Sequence, residues 1–143
     1  MAPRKEFKSG ADCGLPVGFE VRSFDEHIFS QHPFSHGENY PSFEEFQKYG
    51  SGAAVLHGNQ IVSSASSFLS YRGEVELDVS TDMAFRRMGL AAACVRQMLY
   101  DCQKRGIPVH WDAQNEASRR LAEKFGFHIQ KTYWVYILSA EGE

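Results

Sequence analysis

Glu74–Ala92, EVELDVSTDMAFRRMGLAA, decides how the rest of the chain is read. Its first residues alternate Glu74, Glu76 and Asp78 with Val75, Leu77 and Val79, the pattern of a strand with one wet and one dry face. A short turn follows, and Arg86-Arg87-Met88-Gly89-Leu90-Ala91 opens a helix. The N–H groups of a helix's first turn have no intrahelical partner, and the helix dipole adds partial positive charge there. Gly89 permits close approach of a phosphate, while Arg86 and Arg87 supply full charges. The stretch therefore reads as a strand that lays out a ligand's tail beside a site for its anionic head. The competing reading is a solvated basic helix start with a glycine chosen for packing, and these residues alone do not separate the two.

Downstream, Leu90–Arg105 carries Ala91, Cys94, Val95, Met98 and Cys102 at three- and four-residue spacing, with Arg96, Gln103 and Lys104 on the wet side. This predicts an amphipathic helix, stopped by Gly106 and Pro108. Residues 109–113 form the next strand, which after a helical crossover lies parallel to the strand at 74–81. Residues 115–125 form a second helix with Ala117, Leu121 and Phe125 on one stripe, a Glu116–Arg120 pair, Asn115 at its start and Gly126 as C-cap. Residues 127–138 close the chain as one long strand or a degenerate pair, since no hairpin turn is evident.

Upstream, residues 1–18 contain Pro3, Gly10, Gly14, Pro16 and Gly18 and read as a flexible lead-in to a single domain at 19–143. Phe19–Ser23 is a first strand. Residues 25–31 and 42–49 are short helices around the loop 32–41, the second opened by a Ser42–Glu45 capping box. Gly52–His57 and 60–69 are strands joined at Gly58-Asn59, and 70–73 turns the chain into the strand that follows. Ser63, Ser64, Ser66 and Ser67 read as the filling of an exposed strand face, with hydrogen bonding to an acceptor as the other reading. The fold class is α/β, of the α+β type: a mixed central sheet made of an antiparallel meander followed by strand, helix, strand, helix, strand.

With 143 residues, 43% apolar and 23% charged, the chain suits one globular domain and excludes a largely disordered one. A net charge of −3 provides no global field for nucleic acid. No apolar run is long enough to cross a bilayer and Met1–Gly10 lacks a secretory hydrophobic segment, so a cytoplasmic protein without membrane contact is expected. Cys13, Cys94 and Cys102 read as reduced thiols, and the six histidines form no ligand-spaced cluster, so no metal is expected. The sequence leaves a homodimer open.

Arg86-x-x-Gly89-x-Ala91 after an acidic strand resembles the pyrophosphate loop of GNAT N-acetyltransferases. Trp111-Asp112-Ala113-Gln114-Asn115-Glu116-Ala117-Ser118, followed by Leu121-Ala122-Glu123-Lys124-Phe125-Gly126-Phe127, is similar to the second half of that fold, and to its zwittermicin-resistance branch. The resemblance covers roughly residues 52–138. It implies acetyl-CoA as co-substrate, with the diphosphate beside Arg86 and on the backbone N–H groups of Arg87, Met88, Gly89, Leu90, Ala91 and Ala92. Val79 and Thr81 would bind the acetyl carbonyl and pantetheine arm, and Asn115 and Ser118 would border that arm. The loop 32–41 would overhang the acceptor. Two departures stand out. Many relatives have Gly where this chain has Arg87, and many have Tyr, which protonates the leaving thiolate, where this chain has Ala122. Ser118, a water, Tyr133 or Tyr136 could substitute for that Tyr.

Acetyl transfer to an amine needs a base for the amine proton and a donor to the thioester carbonyl. Glu74, Glu76 and Asp78 share one face, where like charges raise each other's pKa and attract a cationic amine. Glu76 is the first candidate for general base, through water, and Asp78 the second; a plain solvent-facing strand is the alternative. Ser118 is the third candidate catalytic residue, while His110 and Trp111 read as core and pocket wall. The function expected is an N-acetyltransferase acting on a primary amine of a small molecule by direct attack in a ternary complex. Two alternatives remain open: an acyl-CoA-binding module without catalysis, suggested by Ala122, and a protein-directed acetyltransferase.

Overall fold

In the computed structural model, which describes residues 14–31, 40–113, 115–130 and 135–138, the chain runs β1 (Phe19–Ser23), α1 (Glu26–Gln31), α2 (Phe43–Tyr49), β2 (Gly52–His57), β3 (Gln60–Tyr71), β4 (Glu74–Thr81), a single 3-10 turn (Met83–Phe85), α3 (Leu90–Arg105), β5 (Val109–Trp111), α4 (Glu116–Lys124), β6 (Phe127–Gln130) and β7 (Val135–Leu138). The strands form one mixed sheet in the order β1-β2-β3-β4-β5-β7-β6. β1 to β4 are an antiparallel meander, β4 and β5 are parallel, and β7 lies antiparallel between β5 and β6. Crossing from β4 to a parallel β5 requires a long connection, which α3 provides. The expected architecture is therefore present, and the closing segment is two paired strands rather than one.

The alternation read in β4 decides its two faces. Val75 and Leu77 are buried in one cluster with Leu90, Cys94, Val95, Met98 and Leu99 of α3, together with Trp111, Ala122, Phe125 and Phe127. On the opposite face of β2, Ala54 and Leu56 pack with Ile28 of α1 and Ile61. The sheet is thus covered on one side by α3 and α4 and on the other by α1. Each fully buried aliphatic side chain contributes roughly 1.5–3 kcal/mol, so this layering rather than helix propensity holds the short helices in place. α2 begins as expected, with Ser42 Oγ accepting from Glu45 N at 3.2 Å. Its end is tied to α3 by Arg105, whose Nη1 donates to Gly50 O at 2.7 Å and Nη2 to Lys48 O at 3.0 Å.

Several local expectations are corrected. β3 runs on to Tyr71, leaving only Arg72 and Gly73 in the turn; both have positive φ, 52° and 79°, as a tight two-residue hairpin demands. Ser63, Ser64, Ser66 and Ser67 are buried, not exposed, because β3 is an interior strand of a sheet covered on both sides. Serines are tolerated there where their hydroxyls have partners: Ser63 Oγ lies 2.8 Å from Thr81 Oγ1, and Ser67 Oγ accepts from Ser51 N at 2.9 Å. In α4 the buried residue is Ala122, whereas Ala117 is exposed. In α3 the dry stripe also takes in Leu90, Ala93, Gln97 and Leu99. Cys13, Tyr133 and most of the loop 32–41 lie outside the described residues, and Tyr136 is placed by its backbone, opposite Trp111.

Candidate active site

β4 and β5 are parallel neighbours over only three positions, Val75↔Val109, Glu76↔His110 and Leu77↔Trp111. On its other edge β4 stays in register with β3 as far as Thr81↔Ser63. The parallel pairing stops at Leu77↔Trp111, where β5 ends, and opens a fork beyond it, so from Val79 to Thr81 the β5-facing edge of β4 carries no ladder bond among the described residues. Such an edge offers donors and acceptors to an extended ligand. Ser63 fixes the end of this edge by bonding both Thr81 Oγ1 and Ser80 O, the latter at 3.2 Å. Val79 and Thr81, the two positions singled out in the sequence, thus stand at the mouth of the fork.

Beyond the fork the chain is anchored and then reversed. Asp82 caps the 3-10 turn by accepting from Ala84 N at 3.0 Å, and Phe85 rests against the rings of Phe19 and His57. Arg86–Gly89 then reverses direction, with Arg87 at φ 63° and Gly89 at φ 79°. The helix begins at Leu90, so Arg86, Arg87 and Met88 belong to the loop and not to its first turn. Gly89 is the N-cap without a side-chain cap bond, and the helical ladder starts with Ala93 N donating to Gly89 O at 3.2 Å. The N–H groups of Leu90, Ala91 and Ala92 therefore have no intrahelical acceptor. A Cβ at Gly89 would meet nothing within 4 Å, which leaves room above the cap for a phosphate.

Arg87 takes a left-handed conformation that a glycine adopts at less cost. A left-handed L-residue costs roughly 1–2 kcal/mol, and a glycine restores part of that cost as unfolded-chain entropy. Arg87→Gly is expected to raise stability by up to about 1 kcal/mol, read as a higher denaturation midpoint, and at the same time to weaken binding of a diphosphate ligand through the lost charge.

The face of β4 opposite Val75 and Leu77 presents Glu74, Glu76 and Asp78. Glu76 is half-buried, and burial is the main cause that lifts its carboxyl above the usual carboxylate range; Asp112 adds to the rise, His110 opposes it and Asp78 adds a smaller contribution. The like-charge effect expected from the strand is thus secondary, and its larger part comes from Asp112, which lies just past β5. His110 Nε2 is in contact with Glu74 Oε1. Leu69, Tyr71, Glu74, Val75, Glu76 and His110 line a cavity of about 270 Å³. Its walls combine two carboxylates with the Tyr71 ring and the aliphatic side chains of Leu69 and Val75, which suits an amine carried on an apolar stem. Trp111 is core, at 2% exposure, while His110 is pocket wall. Asp112 and the pairing of His110 with Glu76 escaped the sequence reading. The signal that could have found them is the parallel register, which sets β5 residues beside β4 residues once one pair is aligned.

Across the fork, Asn115 caps α4 by accepting from Ser118 N at 2.8 Å. Its side-chain carbonyl is thereby used, the residue itself is exposed, and Ser118 sits half-buried one turn in. Ala122 is fully buried in the core cluster. Ala122→Tyr should therefore overpack the core, at a cost of typically 1–3 kcal/mol, measurable as a lowered midpoint of thermal unfolding. Cys94 and Cys102 are buried, and burial pushes the Cys102 thiol up to about 11, which makes it a poor acyl-accepting nucleophile. Among the described residues no His, Cys, Asp or Glu cluster could hold a metal ion, and no helix is long and apolar enough to cross a membrane.

The sequence and fold of the chain have counterparts of known family. Residues 4–136 match the family of GNAT acetyltransferases. The chain is 33% identical over 128 residues to an uncharacterized N-acetyltransferase, YdfB, of Bacillus subtilis (strain 168), a match that spans 85% of this chain and 49% of YdfB. The structure of a GCN5-related N-acetyltransferase-like protein from Streptococcus suis 89/1591 superposes with a TM-score of 0.73 at 31% identity, over 96% of this chain and 57% of that one. The chain thus spans about half the length of these relatives. RimL, a ribosomal L7/L12 alpha-N-protein acetyltransferase solved in complex with coenzyme A, shares the fold with a TM-score of 0.57 at 13% identity, over 90% and 98% of the two chains.

Proposed function

The chain belongs to the GNAT acetyltransferase family, and from that premise we propose that it transfers an acetyl group from acetyl-CoA to a primary amine of a small molecule by direct attack in a ternary complex. The observation that carries this reading is the conjunction of the forked β4–β5 pair with the uncapped start of α3. The diphosphate of acetyl-CoA sits on the N–H groups of Leu90, Ala91 and Ala92, with Arg86 and Arg87 beside it and Met88 and Gly89 shaping the loop. The pantetheine arm lies along Val79–Thr81, bordered by Asn115 and Ser118. The thioester is then delivered to the fork, next to the cavity under Glu76.

The reaction follows from that placement. Glu76 takes the proton of the amine, directly or through a water, and the nitrogen attacks the acetyl carbon. Asp78 and Asp112 hold the cationic form of the acceptor nearby before it loses its proton. The carbon–sulfur bond breaks and the thiolate leaves; a thiol's reference pKa of about 8.5 means that only modest proton assistance is needed. Ala122 is then no obstacle to catalysis, and Ser118 serves by positioning. The run from Trp111 to Phe127 supports placement near the zwittermicin-resistance branch.

Incubating the protein with acetyl-CoA and a panel of polyamines, amino acids and aminated antibiotics, with thiol release and product mass as readouts, tests the proposal. Acetylated product from at least one small amine is expected. A peptide arm covers the competing acceptor, since the coenzyme A-bound neighbour acts on a ribosomal protein. Product from peptides alone would move the acceptor class to proteins. Stoichiometric acetyl-CoA binding without any product would make the chain a binding module.

A further inference from the structure

We propose that His110 and Glu74 carry the proton released by acetyl transfer from Glu76 out to solvent, a role that rests on the acetyltransferase reading of the same site. The geometry has three parts. Glu76 and His110 are Cα partners in the register of the parallel β4–β5 ladder, which sets their side chains next to one another on one face of the sheet. His110 Nε2 is in contact with Glu74 Oε1. Glu74, Glu76 and His110 line one cavity, together with Tyr71 and Leu69 of β3. Exposure rises along the row, from half-buried Glu76 through a His110 side chain at 30% to a Glu74 side chain at 47%.

A base that shares a pocket with a cationic acceptor must shed its proton before each turnover. The titratable groups that line this pocket are Glu74 and Glu76 on β4, Tyr71 on β3 and His110 on β5, and the charges of Asp78 on β4 and Asp112 just beyond β5 act on Glu76. Among them only an imidazole can accept a proton on one nitrogen while donating from the other. With Nε2–H donated to the Glu74 carboxylate, Nδ1 is the acceptor. The proton on Glu76 passes to Nδ1 as Nε2 passes its own to Glu74, and Glu74 releases that proton to water. The ring returns to its first tautomer by exchange with solvent, so one proton is moved and no other bond changes. The plain alternative is a half-exposed ion pair worth about 0–1 kcal/mol and nothing to catalysis.

The test uses His110→Gln and Glu74→Gln in the full chain, with acetyl-CoA binding as the check that each variant is folded. Each is expected to lower kcat by about tenfold, to leave the KM for acetyl-CoA unchanged and to flatten the pH dependence of kcat; added imidazole should restore the His110→Gln rate. In the ligand-free protein, ring ¹⁵N NMR should show His110 as the Nε2–H tautomer, and Glu74→Gln should mix the tautomers. Turnover by the unmodified chain together with unchanged kcat profiles in both variants would overturn the relay alone. A lowered kcat that imidazole does not restore would also overturn it, as would an Nδ1–H tautomer. Absence of any turnover by the unmodified chain removes the acetyltransferase reading and the relay with it.

Discussion

Gly89→Glu should cost the chain most of its acetyl-CoA affinity while leaving it folded. The position is the N-cap of α3, at φ 79°, and nothing stands within 4 Å of where a Cβ would project. A Cβ there meets no steric barrier from the protein, and its conformational cost is roughly 1–2 kcal/mol, which a domain of this size survives. The ligand, by contrast, meets a carboxylate in the space meant for its diphosphate. Like charges about 4 Å apart repel by about 4 kcal/mol at an effective dielectric of 20, so affinity falls by at least about 100-fold. Gly89→Asn is the matched control: asparagine tolerates the left-handed region and brings no charge, so it crowds the phosphates without repelling them and loses less affinity than Gly89→Glu. Equilibrium dialysis or calorimetry with coenzyme A measures both. An unchanged dissociation constant in folded Gly89→Glu would place the cofactor elsewhere.

Much of this architecture is legible in the residues because local and long-range signals agree. Alternation in 74–81 and three-to-four spacing in 90–105 dictate a strand and a helix, and the crossover between them dictates a parallel partner for β4. The proposed anion site rests on a signal of the same kind: a glycine at a helix start next to arginines is a local pattern. What escapes is whatever depends on a neighbour far along the chain. The serines of β3 look like a wet face, and only the placement of β3 inside the sheet buries them. Ala117 fits the apolar stripe of α4 as well as Ala122 does, and the docking angle of a helix of nine residues decides between them. The environment of Glu76 depends on Asp112, which sits 36 positions later and comes near only because two strands align before they part.

Glu76→Gln should cost most of the activity and improve the fold, and the two effects have one cause. Burial, with Asp112 and Asp78 adding to it, holds the Glu76 carboxyl above its ordinary range, which makes it a stronger base near neutral pH than an exposed carboxylate. The amide cannot take a proton, so kcat should drop by about 10²–10⁴-fold, with acetyl-CoA affinity intact because the α3 loop is untouched. Since the folded-state pKa is raised, the folded chain binds more protons than the unfolded one between the two values. Stability is then fully present below the unfolded pKa and declines as pH rises through the folded one. At neutral pH the ionised carboxylate is a burden on the fold, so Glu76→Gln should have a modestly higher denaturation midpoint there, and the gain should vanish in acid. Asp112→Asn removes the larger of the two like charges that raise Glu76, so the acid limb of the kcat profile should move to lower pH. A kcat profile together with denaturation curves across pH checks all three expectations. If Asp78→Asn abolishes turnover while Glu76→Gln does not, the base lies two residues further along β4, at the opening of the fork.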